Sequence, residues 1–295
     1  MSADNLRGIL LMLIAMALFA VEDMFLKWAA IGLPVGQIVL ISGLFGLPVF
    51  VWLARRDGRR VVTRAALHPW VLARNFGEMI ATLGYITALS MVPLSTVSAV
   101  LQALPLAVTM MAALFMQEQV GWRRWSAIAV GLIGVLMIIR PGLAGFRPEA
   151  LWVLVSVAAL VVRDLATRLL PAECSTAQVS AWGLGSIALM GLMMTVAHGA
   201  VTRPTPAQAA LLTGAVVFGT AGYWAVTAAT RTGEVAVVAP FRYARLIFGM
   251  LLGISVFAER PDRLTFAGAA LIILSGLYAF ARERARKRSL SMHEA

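Results

Sequence analysis

Apolar runs of about the 20 residues that carry a helix across hydrocarbon divide the chain into ten segments. They lie at roughly 9–29, 34–53, 69–90, 94–116, 124–140, 150–170, 177–197, 207–228, 235–257 and 263–281. Gly, Pro or clustered charge interrupts the pattern between them, and each segment is expected to be a transmembrane helix. The few polar positions inside the runs fall into a register. Asp23, Lys27 and Gln37 recur 141 positions later as Asp164, Arg168 and Gln178, and Glu118 recurs as Glu259. Ala88, Val97 and Ala103 meet Ala229, Val238 and Ala244 at the same shift, and Trp125 meets Phe266. Apolar coincidences are cheap in such a chain, whereas charged and amide ones are not. The pattern therefore reads as a tandem duplication of five helices, 1–142 and 143–288, followed by a short tail at 289–295. The third and eighth segments need a small gap, which aligns Gly84-Tyr85 with Gly222-Tyr223.

Composition supports this reading. The chain is 60% hydrophobic and 13% charged, against roughly 45–50% and 25% for soluble domains, which leaves no room for a soluble domain. The net charge of +11 invites a nucleic-acid partner until the basic residues are placed against the spans. Seventeen of them fall in one set of loops, including Arg7, the Arg55 to Arg74 cluster, Arg123, Arg124 and the Arg282 to Arg288 tail, against six in the other set. Lys and Arg concentrate in cytoplasmic loops, so both termini are expected in the cytoplasm. The basic tail then reads as a partner of anionic lipid rather than of nucleic acid. Arg7 with the apolar run and Ala15-Met16-Ala17 resembles a signal peptide, but apolarity continues to Trp28, and the segment is read as the first span. The lone Cys174 excludes an intrachain disulfide, and His68, His198 and His293 have no metal-ligand spacing. No metal or cofactor is expected.

An odd number of helices per copy turns the second copy over. The expected fold is thus an all-α polytopic membrane protein, ten transmembrane helices as two inverted five-helix repeats. Such repeats characterise secondary transporters, whose site lies near the bilayer midplane. A duplicated scaffold protein is the bland alternative.

A charge at the bilayer centre costs about 2.5–3.5 kcal/mol on insertion scales, so each intramembrane charge is a candidate site residue. Asp23 with Lys27, and Asp164 with Arg168, stand one turn apart and read as structural ion pairs. Glu22 and Arg163 occupy equivalent positions with opposite charge, and are candidates for contact with each other or with substrate. Arg74, Glu78, Ala81 and Tyr85 share one face, with Glu78 about 13 Å into its helix. An internal Arg74–Glu78 pair and a cavity-facing Glu78 both fit. Gly77 and Gly84 permit close helix approach. Arg242 and Arg245 flank Tyr243 just after Pro240, about 10 to 15 Å deep. They call for carboxylate partners such as Glu22 or Glu78, or for an anionic or electron-rich ligand. Pro105 and Pro240 leave carbonyls unpaired in the fourth and ninth spans. Gln102 offers a neutral hydrogen-bonding contact, and Tyr85, Tyr223 and Trp224 offer aromatic walls or packing.

No P-loop, H-E-x-x-H or CxxC is present, so ATP-driven transport and metalloprotease chemistry lack support. An intramembrane enzyme would need a base beside its nucleophile, and the spans contain no histidine. A receptor or scaffold stays open as a further class.

Ala103-Leu-Pro-Leu-Ala through Glu118-Gln-Val-Gly-Trp-Arg-Arg-Trp-Ser-Ala-Ile-Ala-Val-Gly to Ile139-Arg-Pro-Gly142, with its echo from Glu259 to Gly276, resembles the EamA-type members of the drug/metabolite transporter superfamily. That resemblance covers nearly the whole chain. It implies a multi-pass bacterial inner-membrane protein that moves a small metabolite by alternating access, with the lipid bilayer as its surroundings. A monomer and a homodimer both fit. Val21-Glu-Asp-Met-Phe-Leu-Lys27, Gln102-Ala-Leu-Pro-Leu-Ala-Val108 and Val162-Arg-Asp-Leu-Ala-Thr-Arg168 are similar to a proteobacterial branch that includes riboflavin transporters. On that likeness Tyr85, Tyr223 and Trp224 would stack on a planar ring, and Gln102, Glu78 or Arg245 would bond its polar edge. The same set suits an amphipathic amino acid, and the family holds exporters as well as importers.

Overall fold

The computed structural model describes residues 3–118, 120–143, 146–199, 201–232 and 234–291. Among them the regular structure is helical: α1 (Ala3–Ala29), α2 (Val35–Arg56), α3 (Pro69–Met91), α4 (Leu94–Leu101), α5 (Leu104–Phe115), α6 (Trp122–Ile139), α7 (Leu151–Arg168), α8 (Thr176–His198), α9 (Pro206–Thr232), α10 (Val235–Val238), a 3-10 segment (Ala239–Tyr243), α11 (Ala244–Phe257) and α12 (Arg263–Ser291). Nine of the spans are long and apolar enough to cross a membrane. The tenth, α3, has 23 residues but carries Arg74, Asn75 and Glu78.

Two expectations change. The fourth and ninth segments are each broken: the fourth into α4 and α5 at Gln102-Ala103, the ninth into α10, the 3-10 segment and α11. Proline explains the positions. Pro105 and Pro240 supply no N–H and crowd the preceding turn, and the chain tightens locally, with Gln102 N–H donating to Ala99 O at 3.2 Å and Ala103 N–H to Val100 O at 3.0 Å.

The chain folds into two compact units, and neither follows chain order. Unit 1 comprises Met1–Ala20, Pro93–Pro148 and Gly222–Ala295, and unit 2 comprises Val21–Val92 and Glu149–Ala221. Each therefore takes corresponding helices from both halves of the sequence.

In unit 2, glycines hold helices backbone to backbone. A Cβ on Gly36 would lie 2.7 Å from Met194 Cβ, and one on Gly43 would lie 2.5 Å from Ala188 N. Residue numbers rise on α2 as they fall on α8, so these two are antiparallel. The helices α3 and α7 pair the same way, with Gly77 against Ala159 and Gly84 against Trp152, and Ser156 Oγ donates to Ala81 O at 2.9 Å. Small residues allow such approach where lipid offers no hydrophobic drive.

The repeated glutamines work as mirrored clasps. Gln37, at the start of α2, donates to Thr202 O at 2.7 Å and accepts from Thr202 N at 3.0 Å, beyond the end of α8. Gln178, at the start of α8, donates to Arg60 O at 2.7 Å, beyond the end of α2, and completes a capping box with Ser175.

In unit 1, α6 and α12 meet at Gly134 and Gly268, where a Cβ on either would press on the other's carbonyl oxygen. A core of Met12, Ala15, Met16, Ala225, Ala229 and Val238 fills this unit. The repeat is visible here too. Gln117 (φ 55) and Ala258 (φ 51) are left-handed residues 141 positions apart. Each is followed by an N–H that reaches six residues back, Glu118 to Ala112 O at 3.4 Å and Glu259 to Gly253 O at 3.0 Å, which ends α5 and α11 alike.

Candidate functional site

The candidate residues divide between the units, and each set is built differently. In unit 2 the centre is Glu78, held by the α3–α7 contact. Its Oε2 lies 3.2 Å from Arg74 Nη2, one turn away, and its Oε1 lies 3.4 Å from Arg163 Nη1. Arg163 also donates from Nε and Nη2 to Asp164 Oδ1, both at 2.8 Å. Two cations and two anions thus form one neutral network across two helices. Arg74 packs over Gly183 and donates to Asn75 Oδ1 at 3.2 Å. These side chains are part-buried, and charges withdrawn from water offset their desolvation only when paired and hydrogen-bonded in this way.

Asp164 is bonded to Arg163, its neighbour on α7, and Arg168 at the helix end is exposed. Glu78 serves both Arg74 and Arg163. Lys27 Nζ donates to Leu89 O at 3.1 Å and Val92 O at 2.6 Å, placing a cation on the carbonyl end of α3, where the helix dipole favours it. Asp23 is 1% exposed beside it in sequence. The Glu22 carboxylate rests on Gly219 of α9, where no side chain intervenes. Tyr85 is half-buried on α3.

In unit 1 the breaks of the fourth and ninth spans are tied together. Gln102 Nε2 donates to Arg242 O at 2.9 Å, so the amide at one break bonds a main-chain carbonyl at the other. Arg242 is exposed, and the Arg245 guanidinium lies 5.2 Å from the centroid of the Phe19 ring, within cation–π range. Tyr243 between them is buried, its hydroxyl against Gly276. Tyr223 is half-buried and Trp224 is 65% exposed. Successive helical residues point about 100° apart, so these two line different faces rather than one wall.

Several polar contacts were not legible as site features. Glu259 accepts from Leu94 N at 2.5 Å and Ser95 N at 2.9 Å, capping α4. Asn5 Oδ1 accepts from Glu234 N at 2.9 Å, and Asn5 Nδ2 donates to Glu234 Oε1 at 3.3 Å. Asp262 caps α12 through Thr265 N at 3.0 Å and is bonded to Arg140. The Arg140 hydrogen bond and the Thr265 N–H hold its carboxyl down at about 2. For Glu259 the signal was its 141-residue match to Glu118, and for Asp262 the Asp-x-x-Thr spacing before an apolar run. Asn5 left no such mark. Among the described residues no group of His, Cys, Asp and Glu could hold a metal ion.

Discontinuous helices in an inverted pair are where transporters place their sites. The chain is 28% identical over 273 residues to a riboflavin transporter of Vibrio cholerae, covering 92% of this chain and 91% of that protein. It is 22% identical over 293 residues to an S-adenosylmethionine uptake transporter of Rickettsia prowazekii, with 98% and 97% covered. It is 26% identical over 269 residues to the pseudopaline exporter CntI of Pseudomonas aeruginosa, with 91% and 94% covered. The model of the EamA-like transporter family matches twice, at residues 6–140 and 147–280. With both halves of its sequence matched and its spans built as inverted copies, the chain belongs to the EamA-like transporter family.

Proposed function

We propose that this membrane transporter takes up riboflavin across the bacterial inner membrane. The observation that carries the reading is the break of the ninth span, which sets Arg242 and Arg245 on either side of Tyr243 and joins them through the Arg242 carbonyl to Gln102. Guanidinium groups are planar donors suited to acceptors on a flat ring and able to stack on it. The isoalloxazine edge offers such acceptors, and Tyr223, in the same unit, supplies a half-buried aromatic face. Likeness to the Vibrio cholerae riboflavin transporter is consistent with this reading. The test is growth of a riboflavin-requiring host that expresses the chain. Rescue at low external riboflavin is expected, and no rescue with the protein present in the membrane overturns the vitamin reading.

A second reading, export of a carboxylate-bearing amino-acid derivative, is favoured by likeness to the pseudopaline exporter and by the same two arginines. Accumulation of such a compound in vesicles turned inside out would select it.

The distribution of Lys and Arg between the loops supports a cytoplasmic side for both termini. Cys174, the lone cysteine, lies between α7 and α8 and should then face the cytoplasm. Burial and the neighbouring Glu173 raise its thiol pKa, so labelling with an impermeant maleimide should quicken as the pH is raised. Labelling in inverted vesicles but not in intact cells is expected, and the opposite result reverses the topology.

A further inference from the structure

The carboxylate of Glu259 closes α4 in a way that the repeat carries into the other half. The residue before α4 is Pro93, which has no N–H, so the first-turn donors are Leu94 N and Ser95 N, and Glu259 accepts from both. The acid itself is aimed by the turn that ends α11: left-handed Ala258, then the Glu259 N–H to Gly253 O. The first half repeats that turn residue for residue, with left-handed Gln117 and the Glu118 N–H to Ala112 O.

The receiving end is repeated as well. Val97 N donates to Pro93 O at 3.1 Å and Val238 N to Glu234 O at 3.0 Å, positions again 141 apart. Glu234, unlike Pro93, has an N–H, and Asn5 takes it at 2.9 Å. What corresponds to Leu94 N and Ser95 N is then the N–H of Val235 and of Ala236. One difference stands: Ala112 occupies the position of Gly253, on which the Glu259 carboxylate rests.

We propose that Glu118 is the counterpart of Glu259 and holds the first turn of α10 by accepting from the Val235 and Ala236 N–H groups. Each broken span is thereby clamped at its start by an acid from the other half of the sequence: the fourth by Glu259, the ninth by Glu118. Glu118 is then a positioning residue for the segment that carries Arg242 and Arg245, whatever the cargo. A carboxylate on helix N–H groups is favoured both as a charge-assisted acceptor and by the helix dipole.

The test is hydrogen exchange, read by peptide mass, on the full-length protein in detergent. Glu118→Ala should speed exchange in a peptide covering 235–241 about tenfold, as expected for loss of a bond to a charged acceptor, and leave 93–101 unchanged. Glu259→Ala should do the converse. Glu118→Gln, which keeps one acceptor oxygen, should fall between Glu118→Ala and the parent, and it serves as the test variant if the alanine form does not accumulate. Unchanged exchange at 235–241, or equal acceleration at 235–241 and 93–101, overturns the proposal.

Discussion

In unit 2 the charged side chains of α3 and α7 are bonded to one another, Arg74 to Glu78 to Arg163 to Asp164, and the helices carrying them are continuous. In unit 1 the spans carrying Gln102, Arg242 and Arg245 are broken, and one of the bonds spent at the breaks runs from a side chain to a main-chain carbonyl. Both arrangements answer the cost of polar groups in an apolar chain, but they leave different things over. A closed ionic network leaves little charge to offer a ligand. A helix break presents main-chain groups and guanidinium donors together, as transporter sites do. We therefore propose that the network of unit 2 is scaffolding and that the breaks of unit 1 meet the cargo, and each proposal can be broken.

The largest effect is expected from Glu78→Ala. It leaves Arg74 and Arg163 without their shared anion, and removing one partner of a buried pair costs about 3–5 kcal/mol, an upper bound for this part-buried network. Folded protein recovered from the membrane should fall severely. If Glu78 is scaffold, replacing Arg74, Glu78, Arg163 and Asp164 together by Met, Leu, Met and Asn, which leaves no member of the network charged, should restore folded protein and much of the transport. Restored folding with no transport would move Glu78 to the cargo site and erase the contrast between the units.

Arg245→Ala should act the other way. Its guanidinium lies on Phe19, and loss of a cation–π contact costs only about 0.5–2 kcal/mol, so membrane levels should stay near those of the parent. Uptake at low substrate should drop by at least tenfold, the loss expected when about 1.4 kcal/mol of cargo binding disappears. Normal uptake with Arg245→Ala and Arg242→Ala alike would make these arginines structural.

Sequence alone carried the helices, the repeat and its inversion, because apolar length and loop charge are local quantities that a chain displays directly. It carried the Arg74–Glu78 pair for the same reason, since one turn of helix brings them together. Arg163 was harder. Its bond to Glu78 spans 85 residues, and nothing local marks it. The breaks at 102 and 239 were half visible, since Pro105 and Pro240 announce disturbed helices but not how far the disturbance spreads. Compact units that mix both halves were not visible, because glycine contacts such as Gly43 against Ala188 depend on pairing that no single segment encodes.

A smaller effect is expected at the glutamine clasps of unit 2. Gln37→Ala and Gln178→Ala each remove side-chain bonds to loop main chain, worth about 1 kcal/mol apiece. The melting temperature in detergent should fall modestly for each. The sites join different loops, so the double variant should show the sum. Strong non-additivity would mean that the two clasps act as one element.

The smallest effect belongs to unit 1, at Asp262. Arg140 and the Thr265 N–H hold its carboxyl at about 2, below the ordinary 3.8. A depressed folded value means that the unfolded chain binds the proton first, so this stabilisation is complete above about pH 4 and lost as pH falls towards 2. The pair is partly exposed, with Asp262 half open to solvent, and exposed ion pairs contribute only about 0–1 kcal/mol. Asp262→Asn should therefore lower the melting temperature slightly at pH 6 and shrink that difference at pH 3. A difference as large at pH 3 as at pH 6 would mean that the effect does not come from the charge shared with Arg140.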